Sequence, residues 1–368
     1  MKKLGDYILL NPKENISKGK IARKIAMENL KPFTRDINTW SNISFNGGSK
    51  FRNGDTLLAR ITPCLENGKT AFVNILGDDE IAYGSTEFYV LRAVKNKMDP
   101  YYLYYLTISK KFRNTMIKAM TGTSGRQRVP KEAVLEYLMD VPDFEGQKKI
   151  GEKLKVIDDK ITLNNQINDN LDALLTNIFK KYMINDDFEK SNLTQIANYK
   201  NGLAMQKYRP NSNEESLPVL KIKELNQGNT DDSSDRCSAN LDNSVIVNTG
   251  DIIFSWSGTL LVKNWTGDKV GLNQHLFKVT SNKYPAWFIY EWTKYHLLRF
   301  QAIAAGKATT MGHIKRSDLK SSPVYIPSQL FLEKMDSQLA PIYSQRLNLI
   351  KENQQLSKLK QTLLNKYF

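Results

Sequence analysis

Residues 121–130 read TGTSGRQRVP, and residues 304–319 read AAGKATTMGHIKRSDL. Both stretches gather glycine, hydroxyl side chains and cations into one short piece of chain. Arginine and lysine hold phosphates, while arginine, glutamine and threonine can also bond to base edges. Glycine lets backbone come close to a ligand. The chemistry that such loops support is the binding of a polyanion rather than the making of bonds. A plainer role is also open to them, as solvated basic turns that cap a helix.

Residues arranged for catalysis are not found at a recognisable spacing. There is no Gly-x-x-x-x-Gly-Lys-Ser/Thr phosphate loop and no Gly-x-Gly-x-x-Gly following a strand. The nearest approach to an amino-methyltransferase signature is DPYY at 99–102. It lacks the second proline and opens an aromatic helical pattern, with Asp99 as cap and Pro100 at the first position. No acidic cluster leads into a Glu-x-Lys strand. His275, in LNQHLF, has no partner cysteine or serine in a signature, so a structural or DNA-facing role is expected. Three histidines and two cysteines, Cys64 and Cys237, make neither a zinc motif nor a disulfide framework. The expectation is a non-catalytic chain that binds no metal and no cofactor of its own.

Across 368 residues the formal net charge is +15, which favours polyanionic partners. No apolar run approaches the roughly 20 residues of a membrane span. The opening MKKLGDYILLNPKEN has an apolar run too short for a secretion signal, so a cytoplasmic protein is expected.

The two loops belong to a repeat. At an offset of 185, RVPKEAVLEYLMDVP (128–142) meets HIKRSDLKSSPVYIP (313–327), and KKYM (180–183) meets NKYF (365–368). Pro100 meets Pro285, Tyr105 meets Tyr290 and Asn168 meets Asn353. Upstream the match is looser: FRNGDTLLARI resembles VNTGDIIFSWS (247–257) at an offset of 196. The chain is two copies of one module, with the first half of each copy the more diverged.

Each copy ends in a long helical pattern. In the first, Ile150, Leu154, Ile157, Ile161, Asn164, Asn168, Leu171, Leu175, Ile178 and Tyr182 follow a 3.5-residue period. In the second, Met335, Leu339, Ile342, Arg346, Leu349, Asn353, Leu356, Lys360, Leu363 and Tyr367 do so less cleanly. Helices of about 35 residues would be roughly 50 Å long. Asn168 and Asn353 fall near mid-helix, either buried and fixing register or at the wet edge of the seam. Ahead of each helix, alternating stretches such as EFYVLRAV, PVLKIKEL and QHLFKVTS read as strands, with turns at Asn53-Gly54-Asp55 and Thr249-Gly250-Asp251. A single aromatic helix follows in each copy, over 99–117 and 284–300, its aromatics facing a core. The predicted fold is α+β: two tandem β-rich domains, each followed by a long helix, the helices pairing as an antiparallel coiled coil with pseudo-two-fold symmetry.

The tandem module, NGLAMQKYRP and LPVLKIKEL opening the second copy, NTGDIIFSWSG, GLNQHLFKV, the Gly-rich loop before IKRSDLKSSPVYIP and the terminal LLNKYF resemble the specificity subunit of type I restriction–modification systems. The resemblance spans essentially the whole chain. It implies target-recognition domains over 1–146 and 184–328, spacer helices over 147–183 and 329–368, and MINDDFEKSN (183–192) as the linker. Each domain would read half of a bipartite site in double-stranded DNA. Half-sites one turn apart are roughly 34–36 Å between centres. The helix pair would set the gap and dock two DNA adenine methyltransferase subunits, which restriction/translocase subunits join. S-adenosylmethionine, ATP and magnesium would belong to those partners.

The DNA-facing residues so implied are Lys20, Arg23, Lys24, Arg60 and Lys69, then Thr123, Ser124, Arg126, Gln127 and Arg128 in the first copy. In the second they are Lys207, Tyr208, Arg209, Lys221, Lys223, Asn273, Gln274 and His275, then Lys307, Thr309, Thr310, Lys315 and Arg316. The helix seam is implied at Leu154, Ile157, Ile161, Asn168, Leu171, Leu175, Leu339, Ile342, Asn353, Leu356 and Leu363. The first copy departs from the pattern, with GSTEFYVL where the second has LNQHLFKV. Other readings are a specificity subunit whose partner fuses methyltransferase and nuclease, a stand-alone DNA-modifying enzyme, and a scaffold that pairs two proteins.

Overall fold

Asn53-Gly54-Asp55 and Thr249-Gly250-Asp251 do turn the chain into a strand, and by the same bonds. The glycines take φ of +88° and +97°, where a side chain would be strained. Asp55 accepts from the Arg52 amide and Asp251 from the Asn248 amide, each at 2.8 Å. The structure is a computed structural model and describes residues 1–123, 125–231, 233–306 and 312–368. It divides into two units, residues 1–162 with 356–368 and residues 163–355.

In the first unit, strands Ile8–Leu10, Phe88–Ala93, Thr56–Ala59 and Thr70–Phe72 form an antiparallel sheet in that order. A second sheet runs Ser41–Ser44, Ile21–Ile25, Ala82–Gly84, Ser49–Phe51, with its central pair parallel. Lys2–Lys3 pairs with Leu138–Met139. Every residue of Thr56–Ala59 is buried, so this strand lies in the core on both faces.

The second unit repeats this topology. Asn198–Asn201, Leu276–Thr280, Ile252–Ser255 and Val262–Asn264 form one sheet. Arg236–Ser238, Ser216–Leu220, Val270–Leu272 and Ile246–Val247 form the other, again with a parallel central pair. Glu189–Asn192 pairs with Pro323–Ile326. Two modules of one fold are thus visible strand by strand.

Three local expectations need correction. In PVLKIKEL the strand ends at Leu220. Ile222–Gln227 is helical and closes on Gly228 in the left-handed region. The aromatic segment of each unit is two helices rather than one: Pro100–Ile108 with Lys110–Lys118, and Ala286–Tyr295 with Leu297–Ala305. In the first unit the break is Ser109, which is extended and caps the second helix through its hydroxyl. Asp99 caps the first helix by accepting from the Tyr102 amide at 2.8 Å, with Pro100 behind it. The aromatics are core, as expected: Tyr102, Tyr104, Tyr105, Trp287 and Trp292 are all fully buried.

The third correction concerns the seam. The long helices are Phe144–Met183 and Gln329–Tyr367. Leu154, Ile157, Leu175 and Leu339 are buried, whereas Ile161, Asn168, Leu171, Ile342, Asn353, Leu356 and Leu363 are only partly so. Beyond Leu175 the buried face continues through Phe179 and Met183 rather than Ile178 and Tyr182. In the second helix, Tyr343 and Leu364 take the buried places predicted for Ile342 and Leu363. A helix of 3.6 residues per turn drifts about 20° per heptad from a strict 3.5-residue stripe. Within each unit the buried face therefore follows the aromatic helices that it packs against.

The helices run antiparallel in both units. In the first, Leu154 and Leu364 share a cluster, and Asp158 pairs with Lys360 at 2.7 Å. In the second, the Asn164 amide donates to Glu352 and Asn353 at 2.8 and 2.9 Å, and Asp172 pairs with Arg346 at 2.8 Å. The buried asparagine is thus Asn164, while the Asn168 carbonyl oxygen has no partner among the described residues. No helix among the described residues is long and apolar enough to cross a membrane.

Candidate nucleic-acid interface

In the first unit the Gly-rich loop comes back onto the sheet at the ends of the strands Thr56–Ala59 and Phe88–Ala93. Ile61 bridges Arg128, and Thr121 also bridges Arg128. The Arg60 amide donates to the Glu87 carbonyl at 3.0 Å, and the Val129 amide donates to the Arg60 carbonyl at 2.9 Å. These bonds bring three side chains together. Arg128 donates to Glu87 from Nε and Nη2, the latter at 2.7 Å, and Arg60 Nε donates to Glu87 Oε2 at 3.2 Å. The Arg60 guanidinium lies 5.2 Å from the ring centroid of the buried Tyr89, whose hydroxyl donates to the Val129 carbonyl at 2.7 Å. Hydrogen bonding from Arg128 holds the Glu87 carboxyl below the usual range, against the opposing effect of burial. The three side chains are partly exposed, so the group is a surface cluster with one net positive charge.

The second unit has the same backbone arrangement and different chemistry. The Trp256 amide donates to the His275 carbonyl at 3.3 Å, and the Ile314 amide donates to the Trp256 carbonyl at 3.0 Å. Ser257 bridges His313. Trp256, His275 and His313 therefore stand where Arg60, Glu87 and Arg128 stand in the first unit. Ring centroids of Trp256 are 5.8 Å from His275 and 6.4 Å from His313. The Trp256 indole donates to Asn201 at 3.0 Å. His275 Nδ1 is buried without a hydrogen-bond partner among the described residues.

The remaining sequence candidates scatter around these clusters. Thr123 and Arg126 are exposed in the loop and Gln127 is half-buried. Lys20 and Lys24 lie by the ribbon Ile21–Ile25/Ser41–Ser44. Arg23, on the same ribbon, is committed to the Ile75 carbonyl and Glu80 and sits 4.7 Å from the Trp40 ring. Lys69 donates to the Met27 carbonyl at 2.8 Å. Lys207, Tyr208 and Arg209 are exposed. Lys221 pairs with Asp235, and Lys223 with Asp231 and Ser233.

Asn273 is buried, its side chain accepting from the His275 amide, and so orders the turn; Gln274 is half-buried beside it. Lys315 is exposed. Arg316 donates to the Tyr199 carbonyl and lies 5.6 Å from the Phe277 ring. Ser124, Lys307, Thr309 and Thr310 lie outside the described residues. Sequence reading missed Glu87, Trp256 and His313. Laying LARI on FSWS and STEF on NQHL was the available signal; a search for cations alone passes over a carboxylate and an indole.

The family model described as Type I restriction modification DNA specificity domain matches residues 5–173 and again 185–358. The specificity subunit of the type I restriction enzyme MjaIX of Methanocaldococcus jannaschii is 26% identical over 299 residues, 72% of this chain and 67% of its own length. The EcoAI specificity subunit of Escherichia coli is 32% identical over 115 residues, 31% of this chain but only 19% of its own length. Among solved structures, the S subunit of a type I restriction-modification system from M. genitalium is 14% identical, with a TM-score of 0.53. That alignment covers all of this chain and 95% of the other, and shows a shared fold. Matched twice along its length by one family model, the chain belongs to the type I restriction modification DNA specificity family.

Proposed function

We propose that this chain is the sequence-reading subunit of a type I restriction–modification assembly. Each unit reads one half of a bipartite duplex site, and the long helices set the gap between halves. In this reading the chain itself catalyses nothing. It directs two DNA adenine methyltransferase subunits, joined by restriction/translocase subunits, and S-adenosylmethionine, ATP and magnesium are held by those partners in the cytoplasm.

One observation carries the reading most. Two modules of one topology present equivalent strand-end positions, and fill them with Arg-Glu-Arg in one and Trp-His-His in the other. A shared scaffold with unlike surface groups is what two readers of different sequences need, because bases are told apart by the donors and acceptors set against them. Binding of the full chain to duplex DNA as a function of salt tests the polyanion contact. Log affinity should fall linearly with log salt, and Arg126→Ala, which removes an exposed loop cation, should flatten the slope by about 0.9. Affinity independent of salt would remove DNA as the partner.

A further inference from the structure

Arg60 is the member of the first unit's cluster with donors to spare. Its Nε is engaged by Glu87, while Nη1 and Nη2 have no partner among the described residues. The side chain is 28% exposed, so that end is reachable. It is also fixed: the guanidinium lies over Tyr89, Glu87 grips one edge, and both backbone polar groups of Arg60 are bonded. Glu87 is fixed in turn by Arg128, which approaches it with Nε and Nη2.

A phosphate contact requires neither this rigidity nor a carboxylate beside the cation, since the carboxylate repels the phosphate. A fixed pair of parallel N–H donors suits a different target, the O6 and N7 acceptors on the major-groove edge of guanine. We infer that Arg60 reads one guanine in the half-site of the first unit, and that Glu87 and Arg128 are positioning residues which aim it. Trp256, at the equivalent place, has one N–H and spends it on Asn201, so the second unit reads no guanine there by this means. The inference rests on the proposed DNA-reading role.

The test is selection from a randomised duplex library by the full chain, followed by sequencing. Wild type should select a two-part motif. Arg60→Ala and Arg60→Lys should each lose preference for guanine at one position of one half, by about 5- to 100-fold. The other half, left unchanged, serves as the folding control. Glu87→Gln should weaken the same position and no other. The inference is overturned if Arg60→Lys keeps the guanine preference, or if the motif is unchanged in Arg60→Ala. It is also overturned if Arg60→Ala binds all sequences uniformly more weakly with a salt slope reduced by about 0.9, the mark of a phosphate contact. A wild-type chain that selects no sequence overturns the DNA-reading role itself, and this assignment with it.

Discussion

Glu291 stands on helix Ala286–Tyr295, almost wholly buried, beside Asp172, Thr176, Lys294 and Arg346. Burial pushes its carboxyl up to about 7, although Lys294 and the Thr176 hydroxyl favour the charged form. The folded chain thus keeps a proton that the unfolded chain releases near 4.5. Folding takes up a proton between those values. The stability this gives is fully present below pH 4.5 and lost as pH rises through about 7. Glu291→Gln keeps an acceptor for Thr176 and has nothing to titrate. The stability of wild type relative to this variant should therefore fall by up to about 3 kcal/mol between pH 4.5 and 8. Urea unfolding across that range measures it, and a difference that does not vary with pH would contradict the account. The sequence offered no hint of this group, because no local pattern shows that Thr176, distant in the chain, and the surrounding core close over Glu291.

At the scale of elements, a buried charge ties a loop to the first long helix. Arg35 is only 4% exposed and donates to Asp36 and Asp159 at 2.7 Å and to the Lys155 carbonyl. Arg35→Ala leaves the largely buried Asp36 with only the Thr162 hydroxyl, while the half-exposed Asp159 keeps Lys155, and should destabilise the chain by about 3 kcal/mol. A loss below 1 kcal/mol, by urea unfolding, would mean that solvent replaces the pair. The seam makes a graded prediction. Leu175→Asp places a charge in the buried cluster that holds Phe179, Leu339 and Tyr343 and should cost more than 3 kcal/mol; Leu171→Asp, at a half-buried position, should cost distinctly less. Equal losses would restore the strict seven-residue seam.

That seam also marks how far the elements were legible. Leu154, Ile157, Leu175 and Leu339 were found because periodicity reports burial on a helix. Phe179, Tyr343 and Leu364 were not, since the aromatic helices choose the face, and tertiary partners do not show in a local pattern. The strands read in EFYVLRAV and QHLFKVTS are present as Phe88–Ala93 and Leu276–Thr280, although Phe88–Leu91 is buried continuously rather than in alternation. The ribbon Ile21–Ile25/Ser41–Ser44 was not legible, because Ser41–Ser44 is exposed throughout and has no apolar face to betray it.

For the whole molecule, the repeat carried the reading. Residues 128–142 and 313–327 align without a gap, and each closes an equivalent strand end in its own unit, where Arg128 and His313 make equivalent bridges. Net charge alone would have made every surface cation a candidate, whereas many are spent within the fold, on Glu87, Glu80 or Asp235. The central claim is that the two units read DNA independently. The most direct measurement exchanges residues 1–140 for the equivalent segment of a family member with a different specificity. The recognised sequence of parent and chimera is then mapped by genome-wide methylation, with the methyltransferase subunit present. The account predicts that one half of the motif changes while the other half and the gap between them stay as in the parent. A chimera in which both halves change, or in which neither does while DNA is still methylated, would contradict it.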